Sequence, residues 1–345
     1  MIANNHEPHL WFITQEELRN WLESITDHAT LIAPQNFDGI VLFKPTSDVN
    51  EIDWGNSRAA MSIKEAFFPP TEQLMVIKRR GAEVKVTEKL FKEKQVIFSA
   101  RPCDARGMKV LDSVFITTEP EDSYYSKRRA NTTLIGLTCQ QMGATCFCTS
   151  MGGSPSNPDD MDIMLTAYNG GYLLQIVSEK GRELVTGVNL QPTTIAVEIE
   201  DEIGRAPTPQ IGDWPPRFAD DYWEELAERC LSCRICAYVC PTCRCFDVRD
   251  EALPNDDGWQ QFERIRCWDS CTSEGYRRIA GGHNPRDTKA KRLKNRVFCK
   301  FYFYPQQYNP VACTGCGRCI DACPVNIDIT ELLQHLTEVV YANRA

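Results

Sequence analysis

The sequence predicts an α/β domain over residues 1–212, followed by an α-helical, cysteine-rich domain over residues 218–345 with a long insertion at 242–312. Three observations predict it. Short apolar runs of strand length alternate with helix-patterned segments through the first half. Prolines 207, 209, 215 and 216 crowd around Gly212, and residues that cannot donate ladder hydrogen bonds mark a linker there. Most of the 17 cysteines fall in tight runs beyond that point.

The first helix is announced by Thr14-Gln15-Glu16-Glu17, a capping box, with Leu18, Trp21, Leu22 and Ile25 following at helical spacing. Strands are expected at Gly39–Phe43, Leu74–Ile77, Val96–Ala100 and Thr133–Leu137, with a helix over Ala105–Phe115. Further alternating segments cover Tyr172–Ile176 and Thr194–Ile199. The chain closes on an amphipathic helix carrying Leu332, Leu333, Leu336, Val339 and Val340, a stripe that reads as core cover.

Composition narrows the class of function. The chain has 345 residues, is 42% apolar and carries a formal net charge of −9. An acidic balance argues against a general nucleic-acid binder and against a DNA-binding iron–sulfur sensor. No apolar run approaches the roughly 18 residues of a membrane span. The N-terminus lacks a basic segment followed by an apolar one, so a cytoplasmic location is expected. In a reducing compartment, clustered cysteines are metal ligands rather than disulfides.

Two runs carry the strongest signal. Cys230-x2-Cys233-x2-Cys236-x3-Cys240-Pro241 and Cys313-x2-Cys316-x2-Cys319-x3-Cys323-Pro324 both read C-x2-C-x2-C-x3-C-P. Three closely spaced thiolates wrap one cubane, and the fourth points to the neighbouring cluster. The expected sets are therefore crossed. Cys230, Cys233, Cys236 and Cys323 bind one [4Fe–4S] cluster, and Cys313, Cys316, Cys319 and Cys240 bind the other. This is a two-cluster ferredoxin-like domain split by its insertion.

A third site is expected in the first domain. Cys103 follows a strand and precedes a helix, Cys139 follows the next strand, and Cys146 and Cys148 come one short loop later. Ligand sites in open α/β sheets gather at strand carboxyl ends, and a helix N-terminus favours a thiolate. A third [4Fe–4S] cluster is preferred over the rival, a structural zinc on four thiolates.

The insertion holds Cys243, Cys245, Cys267, Cys271 and Cys299, and a basic stretch from Lys289 to Arg296. Cys243, Cys245 and Cys271 with one more thiol are possible extra ligands. No four of these cysteines show a known ligand spacing, so packing against the clusters and tuning them is the preferred reading. The basic stretch reads as a solvated helix face, with a docking surface for an acidic partner as the sharper alternative.

The string Phe98-Ser-Ala-Arg-Pro-Cys-Asp104, then Cys146-Phe-Cys148 before Gly152-Gly153, Cys240-Pro-Thr-Cys243 and Trp268-Asp-Ser-Cys271 together resemble one family. It is the iron–sulfur β subunit of cytoplasmic NiFe sulfhydrogenases, the NAD(P)-linked hydrogenases, to which the A subunit of anaerobic sulfite reductase is similar. The resemblance runs over nearly the whole chain. It implies an electron-transfer subunit of an oxidoreductase complex. One partner would be a flavoprotein binding FAD and NAD(P), the other a catalytic module. A NiFe hydrogenase is the first expectation for that module, and an anaerobic sulfite reductase or a heterodisulfide-reductase-like complex the alternative. It also implies that the eight motif cysteines are ligands and that Cys103, Cys139, Cys146 and Cys148 form the family's N-terminal set. The residues agree on what is missing: no dinucleotide fingerprint, no phosphate loop and no catalytic residue are evident. A catalytic reductase with an open cluster is disfavoured, because all three cysteine sets are complete.

Overall fold

The computed structural model describes residues 10–55, 58–195, 197, 214, 218–308 and 311–342, the last five in backbone only. Its strands are β1 (Leu10–Thr14), β2 (Thr30–Phe37), β3 (Ile40–Thr46), β4 (Thr71–Arg80), β5 (Glu83–Glu88), β6 (Gln95–Ala100), β7 (Thr132–Leu137), β8 (Ile163–Tyr168), β9 (Gly171–Ile176), β10 (Gln191–Thr193), β11 (Phe246–Asp256) and β12 (Trp259–Trp268).

Eight of them form one mixed sheet in the order β10-β1-β9-β8-β7-β6-β2-β3. The central strands β8, β7, β6 and β2 are parallel, and the outer pairs are antiparallel. Parallel strands need cover on both faces, and every residue of β6 is buried. On one face lies the helix Gln15–Ile25, whose start is fixed as expected: the Glu17 amide donates to Thr14 Oγ1 at 3.2 Å and the Thr14 amide to Glu17 Oε2 at 3.0 Å. Leu18, Trp21, Leu22 and Ile25 pack with Leu31, Val96, Phe98 and Ile135. The opposite face is covered by the helix Pro102–Phe115, which sets Met108, Leu111 and Phe115 against Ile97 and Leu134.

The α/β reading of the first domain holds. The proline cluster at 207–216 lies outside the described residues apart from Trp214. Of the strand expected at Thr194–Ile199, only residues 194, 195 and 197 are described, and the edge strand β10 ends before them.

The expectation of an α-helical second domain is corrected for its insertion. Its insertion opens with the hairpin β11–β12, which joins β4 and β5 in a four-stranded antiparallel sheet ordered β11-β12-β4-β5. The turn is Asp257-Gly258, both at positive φ (47° and 77°), the geometry a two-residue hairpin requires. The hairpin is bolted to the first domain by Arg266 of β12, which is buried and ion-paired with Glu72 and Asp122. Trp268 completes the join, donating from Nε1 to the Phe68 carbonyl at 2.9 Å. The remaining cover of the cysteine-rich part is helical. Trp223 and Leu226, Leu293, Val297 and Phe298, and Leu332, Leu333 and Leu336 form one core.

Candidate iron–sulfur centres

All seventeen thiols are unbridged. Cys230, Cys233, Cys236 and Cys323, the first crossed set, line a single cavity of about 70 Å³ together with Cys319 and Arg296. Amides point at two of the sulfurs: Ser232 N–H donates to Cys230 Sγ at 3.3 Å and Ile327 N–H to Cys323 Sγ at 3.2 Å. The loop needs left-handed backbone at Ser232 (φ 56°) and Arg234 (φ 68°) to aim three thiols inward.

The second set is electrostatically contiguous. Burial pushes the Cys319 thiol up, Arg296 opposes that, and Cys240, Cys316 and Cys313 act on it as neighbouring charges. Burial likewise pushes Cys313 up to about 11. As free thiols Cys313 and Cys319 resist ionisation, so the charge that would make them ligands must be stabilised by what they bind.

The surroundings supply that stabilisation. Lys300 is 4% exposed. Its Nζ lies 3.2 Å from Cys240 Sγ, 2.8 Å from Thr242 Oγ1 and 3.2 Å from the Ala312 carbonyl. Arg296 is equally buried, with Nε 3.4 Å from Cys236 Sγ and Nη2 2.7 Å from its carbonyl. Neither has a carboxylate at ion-pair distance among the described residues. Burial works against both charges, but the Cys240, Cys243 and Cys236 sulfurs outweigh it and hold both cations above their usual range. Two buried cations whose counter-ions are sulfur form a seat for a net-negative cluster with its thiolates. The residues present therefore fit [4Fe–4S] groups. Arg292 and Arg296 also correct the reading of the basic stretch: they point into the core, and Lys289, Lys291 and Lys294 keep the solvated face.

The four N-terminal cysteines gather at the carboxyl ends of the adjacent strands β6 and β7. A bulge between Phe98 and Ala100, with Ser99 at φ 66°, turns the chain out of β6 into the helix that carries Cys103. Burial raises the Cys103, Cys139 and Cys148 thiols, Cys148 to about 12, and the sulfurs act on one another: Cys139 on Cys103, Cys146 on Cys139, and both Cys146 and Cys139 on Cys148. Arg58 Nη1 lies 3.5 Å from Cys146 Sγ. This group abuts the second motif. Phe147 N–H donates to the Gly315 carbonyl at 2.8 Å, and a Cβ on Gly315 would stand 2.4 Å from the Phe147 carbonyl oxygen. Asp104 and Arg318, fully buried, pair at 2.8 Å across the same boundary.

The insertion cysteines divide. Cys243, Cys245, Cys271 and Cys299 line one cavity. Cys267 stands apart on β12, its thiol 3.8 Å from Thr71 Oγ1. Sequence reading missed Lys300, Arg296 and Cys299 as members of any site, because their partners lie some 55–60 residues away. Among the described residues no three His, Cys, Asp or Glu side chains converge on a single-ion position, and no helix is long and apolar enough to cross a membrane.

Paired cysteine motifs with buried cations set against their sulfurs define an iron–sulfur electron-transfer protein. Residues 229–327 match the 4Fe-4S dicluster domain family. The β subunit of sulfhydrogenase 2 from Pyrococcus furiosus is 31% identical over 321 residues, 88% of this chain and 91% of that protein. The chain belongs to this family of sulfhydrogenase β subunits. No solved structure matches it.

Proposed function

We propose that the chain relays single electrons between a flavoprotein subunit that binds FAD and NAD(P) and a NiFe hydrogenase catalytic module. The carrying observation is the cavity in which Cys230, Cys233 and Cys236 of one motif meet Cys323 of the other. Crossed ligation sets two clusters side by side, which suits electron hopping and leaves no open coordination site for a substrate. In this reading Cys313, Cys316, Cys319 and Cys240 hold the second cluster, and Cys103, Cys139, Cys146 and Cys148 a third [4Fe–4S] cluster. The clusters supply the redox chemistry. The chain supplies the ligands, keeps the charge of Lys300 and Arg296 against the sulfurs, and excludes water.

One end of the path reaches the surface. Cys233 alone among the seventeen cysteines is exposed, and Leu231 and Ile235 beside it are exposed apolar residues. That combination suits a partner docking over the first cluster. The test is anaerobic rapid mixing of the purified chain with a reduced flavoprotein. Bleaching of the cluster absorbance in step with flavin reoxidation is expected, with no turnover by the chain alone. Cys103→Ala/Cys139→Ala is expected to lose about four irons and four sulfides while the dicluster signal persists. Zinc in place of that iron would overturn the third cluster. A chain that takes no electron from the flavin would overturn the relay.

A further inference from the structure

The sequence leaves the fourth partner of Cys243, Cys245 and Cys271 unnamed and prefers packing to ligation, and the fold places Cys299 beside them. Cys299, 28 positions beyond Cys271 in the numbering, ends the helix Lys289–Phe298 and faces the same cavity of about 240 Å³ as the other three. The thiols are close enough to act on one another: Cys271 and Tyr276 act on Cys245, and Cys243 on Cys240. By volume the cavity exceeds the one of about 70 Å³ where the first crossed set meets.

Its charge is the second, independent observation. Arg244, Arg277, Arg296 and Lys300 line the cavity, and no carboxylate does. Arg244 Nη2 lies 3.7 Å from Cys299 Sγ. Arg296 is 6% exposed and its Nη1 has no hydrogen-bond partner. Arg244 and Arg277 have no carboxylate at ion-pair distance among the described residues, and the buried Arg296 keeps an unmatched N–H, so the cavity favours an anion. A single metal ion does not match the site, since no three of the thiols converge on one position. Thiols spread around a roomy cavity match a cubane, whose four ligands bind four different corners.

We propose that Cys243, Cys245, Cys271 and Cys299 bind an additional [4Fe–4S] cluster, which exchanges single electrons with the cluster ligated by Cys240. On receiving a preformed core from a thiolate carrier, the four thiols form four Fe–S bonds, the carrier's four thiolates leave the irons and take up the four protons, and no electron moves. In turnover the site accepts one electron from its reduced neighbour, which is oxidised by one, and returns it by the reverse step. The short run Cys240-Pro241-Thr242-Cys243 then carries a ligand of each cluster, and Lys300 serves both.

The test counts iron, sulfide and zinc in the intact chain purified anaerobically, beside Cys271→Ser, Cys299→Ser and Cys103→Ala/Cys139→Ala variants. A loss of about four irons and four sulfides in each insertion variant, with the other signals kept, is expected. The N-terminal variant is expected to lose a separate set, so failure of the third cluster and failure of this one are told apart. Unchanged iron in Cys271→Ser and Cys299→Ser overturns the proposal, as does loss of one zinc. Should the variants not fold, alkylation of the native wild-type chain decides. The four thiols are expected to stay blocked until iron is chelated and then to label, with Cys267 labelled throughout. Labelling of the four before iron removal overturns the proposal.

Discussion

At the scale of single residues, the informative side chains are cations rather than cysteines. A buried lysine is costly unless its charge is answered. Lys300 is answered by Cys240 Sγ, a hydroxyl and a carbonyl, with no carboxylate. A positive charge in contact with a ligand sulfur favours the reduced, more negative state of the cluster, so its removal makes reduction harder. Lys300→Met is therefore expected to lower the potential of the cluster proposed to be ligated by Cys240. The expected size is a tenfold shift in a one-electron equilibrium, about 59 mV. Redox titration followed by electron paramagnetic resonance checks this, and an unchanged potential would mean that Lys300 only fills space. The dicluster domain was legible because the spacing of its two motifs is the chemistry. Lys300, Arg296 and Cys299 were not, because only the folded insertion brings that helix to the sulfurs.

At the scale of elements, the contact between loops matters most. Gly315 has φ 65°, and a Cβ there would lie 2.4 Å from the Phe147 carbonyl oxygen and 2.6 Å from Cys148 Cα. These are backbone atoms that cannot turn aside. Gly315→Ala is expected to cost about 1–3 kcal/mol from overpacking, with added left-handed strain. It should also push the Cys146–Cys148 loop off the second motif. Denaturant unfolding, together with loss of magnetic coupling between the proposed N-terminal cluster and those of the motifs, checks it. The central strands were readable as apolar runs at Val96–Ala100 and Thr133–Leu137. The hairpins were less so. Asp38-Gly39, Asn169-Gly170 and Asp257-Gly258 each place two positive φ values between antiparallel strands. Those dipeptides were the available signal for β2, β8 and the β11–β12 ribbon. The ribbon itself is exposed along most of β11, so it lacks the apolar alternation that marks a half-buried strand.

At the scale of the whole molecule, the two halves are fastened by charge as well as by packing. Asp104 lies in the first turn of the helix carrying Cys103, and Arg318 sits between Cys316 and Cys319. Their pair is 0% and 1% exposed, and Arg318 Nε also reaches the Ala59 carbonyl at 2.9 Å. Removing one partner strands a buried charge. Arg318→Ala is expected to cost about 3–5 kcal/mol and to loosen the N-terminal cysteine group from the second motif, read by chemical denaturation of the loaded chain. The double change Arg318→Met/Asp104→Leu should recover much of that stability, because no charge is then left alone.

The exposure of Cys233 has a cost as well as a use. A corner open to a docking subunit is equally open to dissolved oxygen, and thiolate character with access governs oxidation. The other motif thiols are half-buried or buried. Damage should therefore begin at the Cys230–Cys233–Cys236–Cys323 site and spread inward. A subunit seated over Leu231 and Ile235 would then act as a shield as well as a conductor. The isolated chain would be its most fragile form, and assembly the event that makes it durable.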